Sequence, residues 1–356
     1  MIMFAFALSR RTMGLKKMKF LVLWLILICA PSGRGQGEFV SGERFALIIG
    51  GPGGQKEYSE KYLAQTTRLL AMLVDTLQYK RENIIYLFED TAFDSLNIDG
   101  ISSAANIRKA IGDLSHRMKR EDQLFVFMTG HGSYDGKWGK FNLVGKDLRD
   151  IEYAQLLAEL PTTRIIVVNT SSASGPFIRR LSGEKRVIIT ATKSGAQEYE
   201  TNFADFFLDA LATDEADSDK DQRVSMTEVF AYARGSQDHW FEDKQLLRAE
   251  HPLLDDNGDG VGSQQMDGSD DGLWASRVFL GPPRRDLQSS LEKINAGTAT
   301  ALDKLVLRKG KVEEEIADLK ARKTQLAAEV YSRQLETLLV ELAKLNQRIK
   351  VMSSGQ

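Results

Sequence analysis

The sequence predicts an α/β domain in which a mostly parallel sheet carries helices on both faces, followed by an α-helical C-terminal tail. From Glu43 to about Leu280, short and nearly continuous apolar runs alternate with amphipathic stretches, a pattern typical of strands buried on both faces. After residues 281–283, apolar residues recur at three- and four-residue spacing among Glu, Lys and Arg, as in amphipathic helices. Hydrophobic residues make up 42% of the 356 residues and charged residues 27%, an ordinary composition for a globular protein.

Each strand is predicted from an apolar run, and each helix from apolar residues at helical spacing. The predicted strands are 46–49, 83–88, 123–128, 164–168 and 186–190. The predicted helices are 62–77, 103–118 and 202–211. Ligands of parallel sheets bind beyond the carboxyl ends of the strands. The residues that follow the third and fourth strands, 129–133 and 169–175, are therefore the predicted functional segments.

The first 35 residues predict a secretory signal peptide. A basic stretch that includes Lys16 and Lys17 precedes an apolar run over 20–28, and small residues follow around Ala30, in the order that a signal peptide requires. This predicts a periplasmic or secreted protein; the alternative, an uncleaved membrane anchor, is weakened because a span needs ~20 apolar residues. Cys29, the only cysteine, lies in this segment, so cleavage would leave a mature chain without a thiolate nucleophile.

The net charge and the spacing of apolar residues in the tail limit which partners can be expected. A formal net charge of −2 gives no basic surface of the kind that nucleic acid requires, so no nucleic-acid partner is expected. The tail, 284–351, has an apolar spacing that changes phase near Tyr331, which argues against one uninterrupted coiled coil. A helical extension of the domain and an arm for self-association or for a partner helix both remain open.

His131 has the surroundings of a functional histidine. It follows the third predicted strand and lies between Gly130 and Gly132, where glycine lets backbone amides approach a substrate closely, as an oxyanion hole requires. The fourth strand is followed by a serine-rich segment, 169–175. Because both segments follow parallel strands, we expect them to lie at the same edge of the sheet.

These segments resemble the caspase/legumain-like cysteine peptidases, in which one strand ends in a Gly-His-Gly-type turn and a second ends in the catalytic cysteine. In the legumain branch, one residue and Ser-Gly often follow that cysteine. Aligning Ser174-Gly175 with this motif places Ser172 at the nucleophile position, and a shift of one residue would place Ser171 there. The resemblance covers roughly 43–211 and implies a caspase-like fold with His131 as the base and the Gly132 amide as an oxyanion donor.

A serine at this position changes what the site can do. Cysteine beside histidine can be a thiolate at neutral pH, whereas serine needs a base during attack and a carboxylate that orients the histidine. Asp135 is close only in sequence. We therefore expect a catalytically degenerate homologue that binds a peptide or protein in its cleft. The alternative is an active serine-type peptidase or hydrolase that uses Ser172 and His131.

An acidic loop that starts at Asp217 predicts a calcium site. In loop order the donors are Asp217, Asp219, Asp221, the carbonyl of Arg223, Ser225 and Glu228. Oxygen donors at these six positions fit an EF-hand loop. Gln222 replaces the usual glycine at the sixth position, which we expect to lower the affinity. The alternative is a solvated acidic loop that caps the helix beginning near Ser225.

A second acidic loop has the same spacing of donors but is incomplete. Asp255, Asn257 and Asp259 occupy the first, third and fifth positions, and Met266 stands where the twelfth-position acid belongs. This predicts a bent, partial calcium loop rather than a second EF-hand. The domain is accordingly predicted over 43–280, with an EF-hand-like insertion over 214–262.

Overall fold

The structure is a computed structural model that describes residues 42–221, 223–266, 271–282, 285–321 and 326–353. The predicted signal peptide lies outside these residues, as does Gln222 of the first acidic loop. Within the described part of the chain, every helix is too short or too polar to cross a bilayer.

The described residues form one large sheet and one small one. The strands are β1 (Arg44–Gly50), β2 (Ile84–Phe88), β3 (Gly100–Ile101), β4 (Gln123–Thr129), β5 (Gly132–Tyr134), β6 (Gly139–Phe141), β7 (Leu148–Arg149), β8 (Ile165–Asn169), β9 (Arg186–Thr190) and β10 (Leu253–Asp255). The large sheet has the order β10-β9-β8-β4-β1-β2-β3, and all its strand pairs are parallel except the antiparallel pair of β9 with β10. The predicted mostly parallel sheet is therefore confirmed.

Helices cover both faces of the large sheet and form the C-terminal region. They are α1 (Lys56–Ala71), α2 (Ala104–Arg117), α3 (Asp150–Ala158), α4 (Pro176–Leu181), α5 (Phe203–Ala212), α6 (Met226–Asp243), α7 (Arg285–Asn295), α8 (Ala301–Ala321) and α9 (Ala328–Ser353). α2 and α6 begin at side-chain caps: Ser103 Oγ accepts the amide of Asn106 before α2, and Ser225 forms a capping box with Glu228 before α6. Such caps satisfy amides that a helix start leaves unpaired.

The core divides into two layers because side chains alternate along the strands. In β4, Phe125 and Phe127 face the layer of α1, α5 and α6, where Phe207 stacks on both rings. Val126 and Met128 face the opposite layer, which α2, α3 and α4 cover. Burial on both faces explains why these strands are apolar at nearly every position.

The order of the strands places a crevice beside His131. From β1 the chain continues to β2 and β3 on one side of the sheet, and to β4, β8 and β9 on the other. The order thus reverses between β1 and β4, and ligands of open α/β sheets bind at such a reversal, beyond the carboxyl ends of the strands. The Gly51 amide, just after β1, donates to the Thr129 carbonyl at the end of β4.

The tail is helical, as its spacing predicts. α8 and α9 pack through Val312, Ile316 and Leu345, and Arg308 joins them by an ion pair with Glu341. α8 ends at Ala321 and α9 begins at Ala328, just before the phase change predicted near Tyr331.

Candidate functional site

His131 lies between two tyrosine rings of α1 at the reversal of strand order. Its ring meets those of Tyr58 and Tyr62 nearly edge to face, with centroids 5.0 and 5.5 Å away. Its Nε2 lies 3.1 Å from the Gly53 carbonyl oxygen in the loop after β1. A hydrogen bond to that carbonyl requires a proton on Nε2, which leaves Nδ1 as the basic nitrogen of the neutral ring. The Tyr62 hydroxyl lies 3.4 Å from Nδ1, and burial raises the pKa of that hydroxyl.

Ser172 faces the backbone of Gly132. Its Oγ accepts the Gly132 amide proton at 3.0 Å and lies 3.1 Å from the Gly132 carbonyl oxygen, to which it donates. The serine is buried, with 3% of its surface exposed. Both hydrogen-bonding roles of the hydroxyl are thus used on the backbone of β5. The structure brings together the loops that carry His131, Gly132 and Ser172. The Gly132 amide, predicted as the oxyanion donor, is hydrogen-bonded to Ser172, the predicted nucleophile.

Ser171 is less exposed than Ser172. It is fully buried, and its hydroxyl donates to Asn169 Oδ1 at 2.7 Å. The residue after Ser172 has an unusual backbone: Ala173 has a φ of +50°, a left-handed conformation that is strained for alanine. Its amide donates to the Gln197 carbonyl in the loop after β9. The β9 loop therefore holds the turn that presents Ser172 to Gly132.

The carboxylate that a serine hydrolase requires is not bonded to His131. Among the described residues, no carboxylate forms a hydrogen bond with either of its ring nitrogens. Asp135 instead pairs with Lys140 at 2.9 Å and accepts the amides of Lys137 and Trp138 in its own turn. The Lys140 hydrogen bond, followed by these two amides, lowers the pKa of the Asp135 carboxyl to about 2.

A buried glutamate anchors the segment that precedes α5. Glu250 is 4% exposed and accepts the amides of Asn202 and Phe203 and the side chain of Gln237. Burial raises the pKa of its carboxyl to about 7, against the opposing effect of these donors. In the same segment, the Thr201 hydroxyl donates to the Thr170 carbonyl. Glu250 thereby holds 201–203 against the serine-bearing loop.

The first acidic loop gathers three carboxylates. Oxygens of Asp217, Asp219 and Asp221 lie within 4.8 Å of one another. Burial raises the pKa values of Asp219 and Asp221, and neighbouring carboxylates raise them further. Glu228 closes the loop, since its Oε1 accepts the amide and hydroxyl of Ser218 at 2.9 Å.

The other predicted donors of this loop, Ser225 and Arg223, contact Glu228 and Phe279. Ser225 donates its amide and hydroxyl to Glu228 Oε2 at 2.9 and 2.8 Å, and it forms an antiparallel bridge with Phe279. The Arg223 guanidinium lies 3.4 Å above the ring centre of Phe279. The loop is therefore tied to the chain that follows the second acidic loop.

Side chains of the second acidic loop accept hydrogen bonds from backbone amides of the same loop and so fix its turns. Asp255 Oδ1 accepts from the Ser182 hydroxyl and from the Gly258 amide, both at 3.2 Å. Asn257 Oδ1 accepts the Asp259 amide at 2.8 Å, and Asp259 Oδ1 closes the next turn in the same way. Gly258 has a φ of +84°, a conformation in which glycine is unstrained.

The sequence analysis did not predict several residues that lie beside His131 or beside the second acidic loop. Tyr58 and Tyr62 lie four residues apart on one turn of α1, and the glycine-rich run that ends at Gly53–Gly54 marks the loop that reaches His131. The run gives a signal for close backbone approach, but nothing local places these tyrosines beside a histidine that is 69 residues from Tyr62. Beside the second loop, Asp271 accepts the Asp256 amide, and no spacing within the loop predicts that contact.

Comparisons with known proteins define the fold no further. No protein-family model matches the chain, and no curated protein matches it. Among solved structures, the chain is similar to the crystal structure of protein GSU0716 from Geobacter sulfurreducens, with 12% identity and a TM-score of 0.44, over 68% of this chain and all of the other. A similarity this distant indicates nothing about activity. Fold and site together define an α/β protein with a mostly parallel sheet and a histidine at the reversal of strand order.

Proposed function

We propose that this chain is a catalytically disarmed caspase/legumain-like protein whose cleft binds a peptide or protein segment without cleaving it. One observation carries the proposal: the hydroxyl of Ser172 is bonded on both sides to the backbone of Gly132. A nucleophile needs its proton near a base, and the amide that would stabilise an oxyanion needs to be free of other acceptors. Neither condition holds in this arrangement.

The surroundings of His131 support the same proposal. A serine hydrolase uses a carboxylate to fix the tautomer of its histidine and to stabilise the imidazolium. Here a backbone carbonyl, that of Gly53, lies 3.1 Å from Nε2 of the histidine, and Asp135 is paired with Lys140. The half-buried ring of Tyr58 beside the histidine suits a binding site, because aromatic side chains are frequent anchors of protein interfaces.

An active serine-type hydrolase is the second candidate. The favouring observation is the left-handed backbone of Ala173, directly after Ser172, since strained conformations gather at functional sites. Activity would require Ser172 to rotate away from Gly132 and toward His131. The two candidates therefore differ in whether the Ser172 hydroxyl faces Gly132 or His131. Chemical labelling of the serine distinguishes these two states.

Labelling with serine- and cysteine-directed probes distinguishes the candidates. We expect a fluorophosphonate to leave the wild type unlabelled, and a cysteine-directed probe to label Ser172→Cys above the background that Cys29 sets in the wild type. Ser172→Ala is expected to lower the free energy of unfolding by about 1–2 kcal/mol through the loss of two hydrogen bonds. Ser133→Ala in β5 is the matched control.

Fluorophosphonate labelling of the wild type that disappears in Ser172→Ala would contradict the proposal and establish the hydrolase. Binding has its own test with a displayed peptide library selected on the wild type. We expect selected peptides to bind Ser172→Ala normally and Tyr58→Ala at least tenfold more weakly, a change of ~1.4 kcal/mol. Tyr331→Ala, the same change in α9, is expected to bind like the wild type.

The first acidic loop is proposed to bind a structural Ca²⁺. Three clustered carboxylates, among which Asp219 and Asp221 have raised pKa values, repel one another in the absence of a cation, and calcium takes six to eight oxygen ligands of this kind. Asp217, Asp219, Asp221, Ser225, Glu228 and the carbonyl of Arg223 would hold it. Extracellular-type loops of weak affinity fill at millimolar calcium, which agrees with the extracytoplasmic location that we propose from residues 1–35.

Removing calcium is expected to lower the melting temperature. At a calcium concentration ~100 times Kd, binding adds about 2.7 kcal/mol to the free energy of unfolding. Glu228→Gln keeps the side-chain shape and an acceptor for the Ser225 cap, but removes a ligand charge, so it should reduce the calcium-induced rise. Glu242→Gln, an exposed residue in the same helix, is the control. Equal melting temperatures in calcium and in chelator would contradict the site.

The tail is proposed to mediate self-association or to bind a partner helix. α9 exposes several apolar side chains along its length, namely Val330, Leu339, Val340, Val351 and Met352. Apolar side chains exposed together on a helix are typical of contact sites for another helix or protein.

A further inference from the structure

Two buried carboxylates beside the second acidic loop each have one oxygen without a partner. Asp255 is 1% exposed and Asp271 is fully buried. The Oδ1 of Asp255 is bonded to Ser182 and Gly258, and the Oδ1 of Asp271 accepts the Asp256 amide at 3.1 Å. Their Oδ2 atoms are inaccessible to solvent and have no hydrogen-bond partner. A buried carboxylate in this state is costly unless a cation or a proton compensates it.

A dense set of hydrogen bonds holds the two carboxylates in the same neighbourhood. Asp256, which follows Asp255, accepts the amide of Gly272 at 2.9 Å and that of Ala275 at 2.6 Å. Its own amide donates to Asp271. The segment after Asp271 is thereby fastened to the start of the acidic loop. Asp271, 16 residues after Asp255 in sequence, thus stands beside the loop that lacks its own twelfth-position acid.

The charge of the cluster is negative. Burial raises the pKa of Asp255, and the nearby charges of Asp271 and Asp259 raise it further. Asn257 and Asp259 of the same loop are exposed. Carboxylate and amide oxygens without nitrogen or sulfur donors are the ligand set of a hard cation.

We propose that Asp255 and Asp271, with the side-chain oxygen of Asn257, form a second Ca²⁺ site that joins the end of β10 to the segment preceding residue 278. The two carboxylates with an unpartnered oxygen, Asp255 and Asp271, balance the charge of one divalent ion. Calcium fits better than Mg²⁺ because it accepts the flexible geometry that a loop of this kind offers, whereas Mg²⁺ requires a nearly ideal octahedron. The site is independent of the cleft and of the first acidic loop. Asp271 supplies the acid that the loop spacing alone does not.

Counting bound calcium tests the proposal on the full chain. Equilibrium dialysis followed by elemental analysis is expected to find one Ca²⁺ per chain in Asp219→Asn, which disables the first loop, and none in Asp219→Asn/Asp271→Asn. Asp219→Asn/Asp113→Asn, with the second substitution in α2, is the control and should retain one ion. No bound calcium in Asp219→Asn would overturn the second site without affecting the first loop or the cleft.

Melting in chelator distinguishes a ligand from a structural side chain. Asparagine at 271 keeps an oxygen for the Asp256 amide and removes the repulsion with Asp255. We therefore expect Asp271→Asn to melt at the same or a higher temperature than the wild type in chelator, and at a lower temperature in excess calcium. A lower melting temperature in both conditions, or failure to fold in chelator, would show that Asp271 acts only through its hydrogen bond, which contradicts the proposal.

Discussion

Replacing Gly132 with alanine is expected to lower the free energy of unfolding by about 3 kcal/mol or more, from overpacking together with the loss of hydrogen bonds. A β-carbon at this position would overlap the carbonyl oxygen of Ser172, and it would lie 2.9 Å from Ser171 Oγ and 3.1 Å from the Lys140 carbonyl oxygen. None of these atoms can move without separating β5 from the β8 loop or from β6. The two hydrogen bonds between Gly132 and Ser172 would be lost with the displacement.

Urea unfolding measures this effect, and Gly112→Ala is the matched control. Gly112 lies inside α2, where an added β-carbon would meet no atom within 4 Å. Alanine there is expected to stabilise the protein by roughly 0.5–1 kcal/mol, because it has the higher helix propensity. Gly132→Ala with wild-type stability would mean that the β5 turn and the serine loop are not in close contact.

Glu250→Gln is expected to remove a pH dependence of about 3 kcal/mol, since a tenfold change in proton affinity corresponds to ~1.4 kcal/mol. In the folded protein, burial raises the pKa of Glu250 from 4.5 to about 7. Between these values the folded state holds a proton that the unfolded state has released. The stability of the wild type therefore falls as the pH rises from about 4.5 to about 7, and this contribution is constant above that range.

The measurement is urea unfolding of both proteins in chelator across this pH range. The quantity of interest is the difference between wild type and Glu250→Gln, because other carboxylates with raised pKa values contribute equally to both. Glu198→Gln, an exposed residue after β9, should follow the wild-type curve in parallel. A constant difference between wild type and Glu250→Gln at every pH would contradict the protonated state of this buried group.

The fold follows largely from local pattern. Strands such as 123–129 and 186–190 are buried on both faces, so nearly every residue is apolar and the signal is continuous. The first helix shows where this fails: it begins at Lys56, six residues before the predicted start, because its first turns are exposed and polar. The small sheet of β5, β6 and β7 was not predicted, since strands of two or three residues carry too little periodicity.

The candidate site likewise combines features that are local in the sequence with contacts between distant loops. Glycine around His131 and the serine run after β8 are local features, and the rule for parallel sheets predicts that they meet. Which atom each hydroxyl contacts depends on the packing of loops that are distant in sequence. Ser172 bonds to Gly132, 40 residues earlier, and no spacing predicts that both its hydrogen-bonding roles are used there.

The sequence by itself therefore determined the parallel sheet, the edge of that sheet at which His131 lies, and the spacing of oxygen donors in two acidic loops, because these depend on near neighbours in the chain. Only the tertiary structure decided that Ser172 turns to the Gly132 backbone, that the rings of α1 enclose His131, and that Asp271 lies beside Asp255. Those contacts depend on which distant loops pack together, and burial then fixes which polar atoms are satisfied.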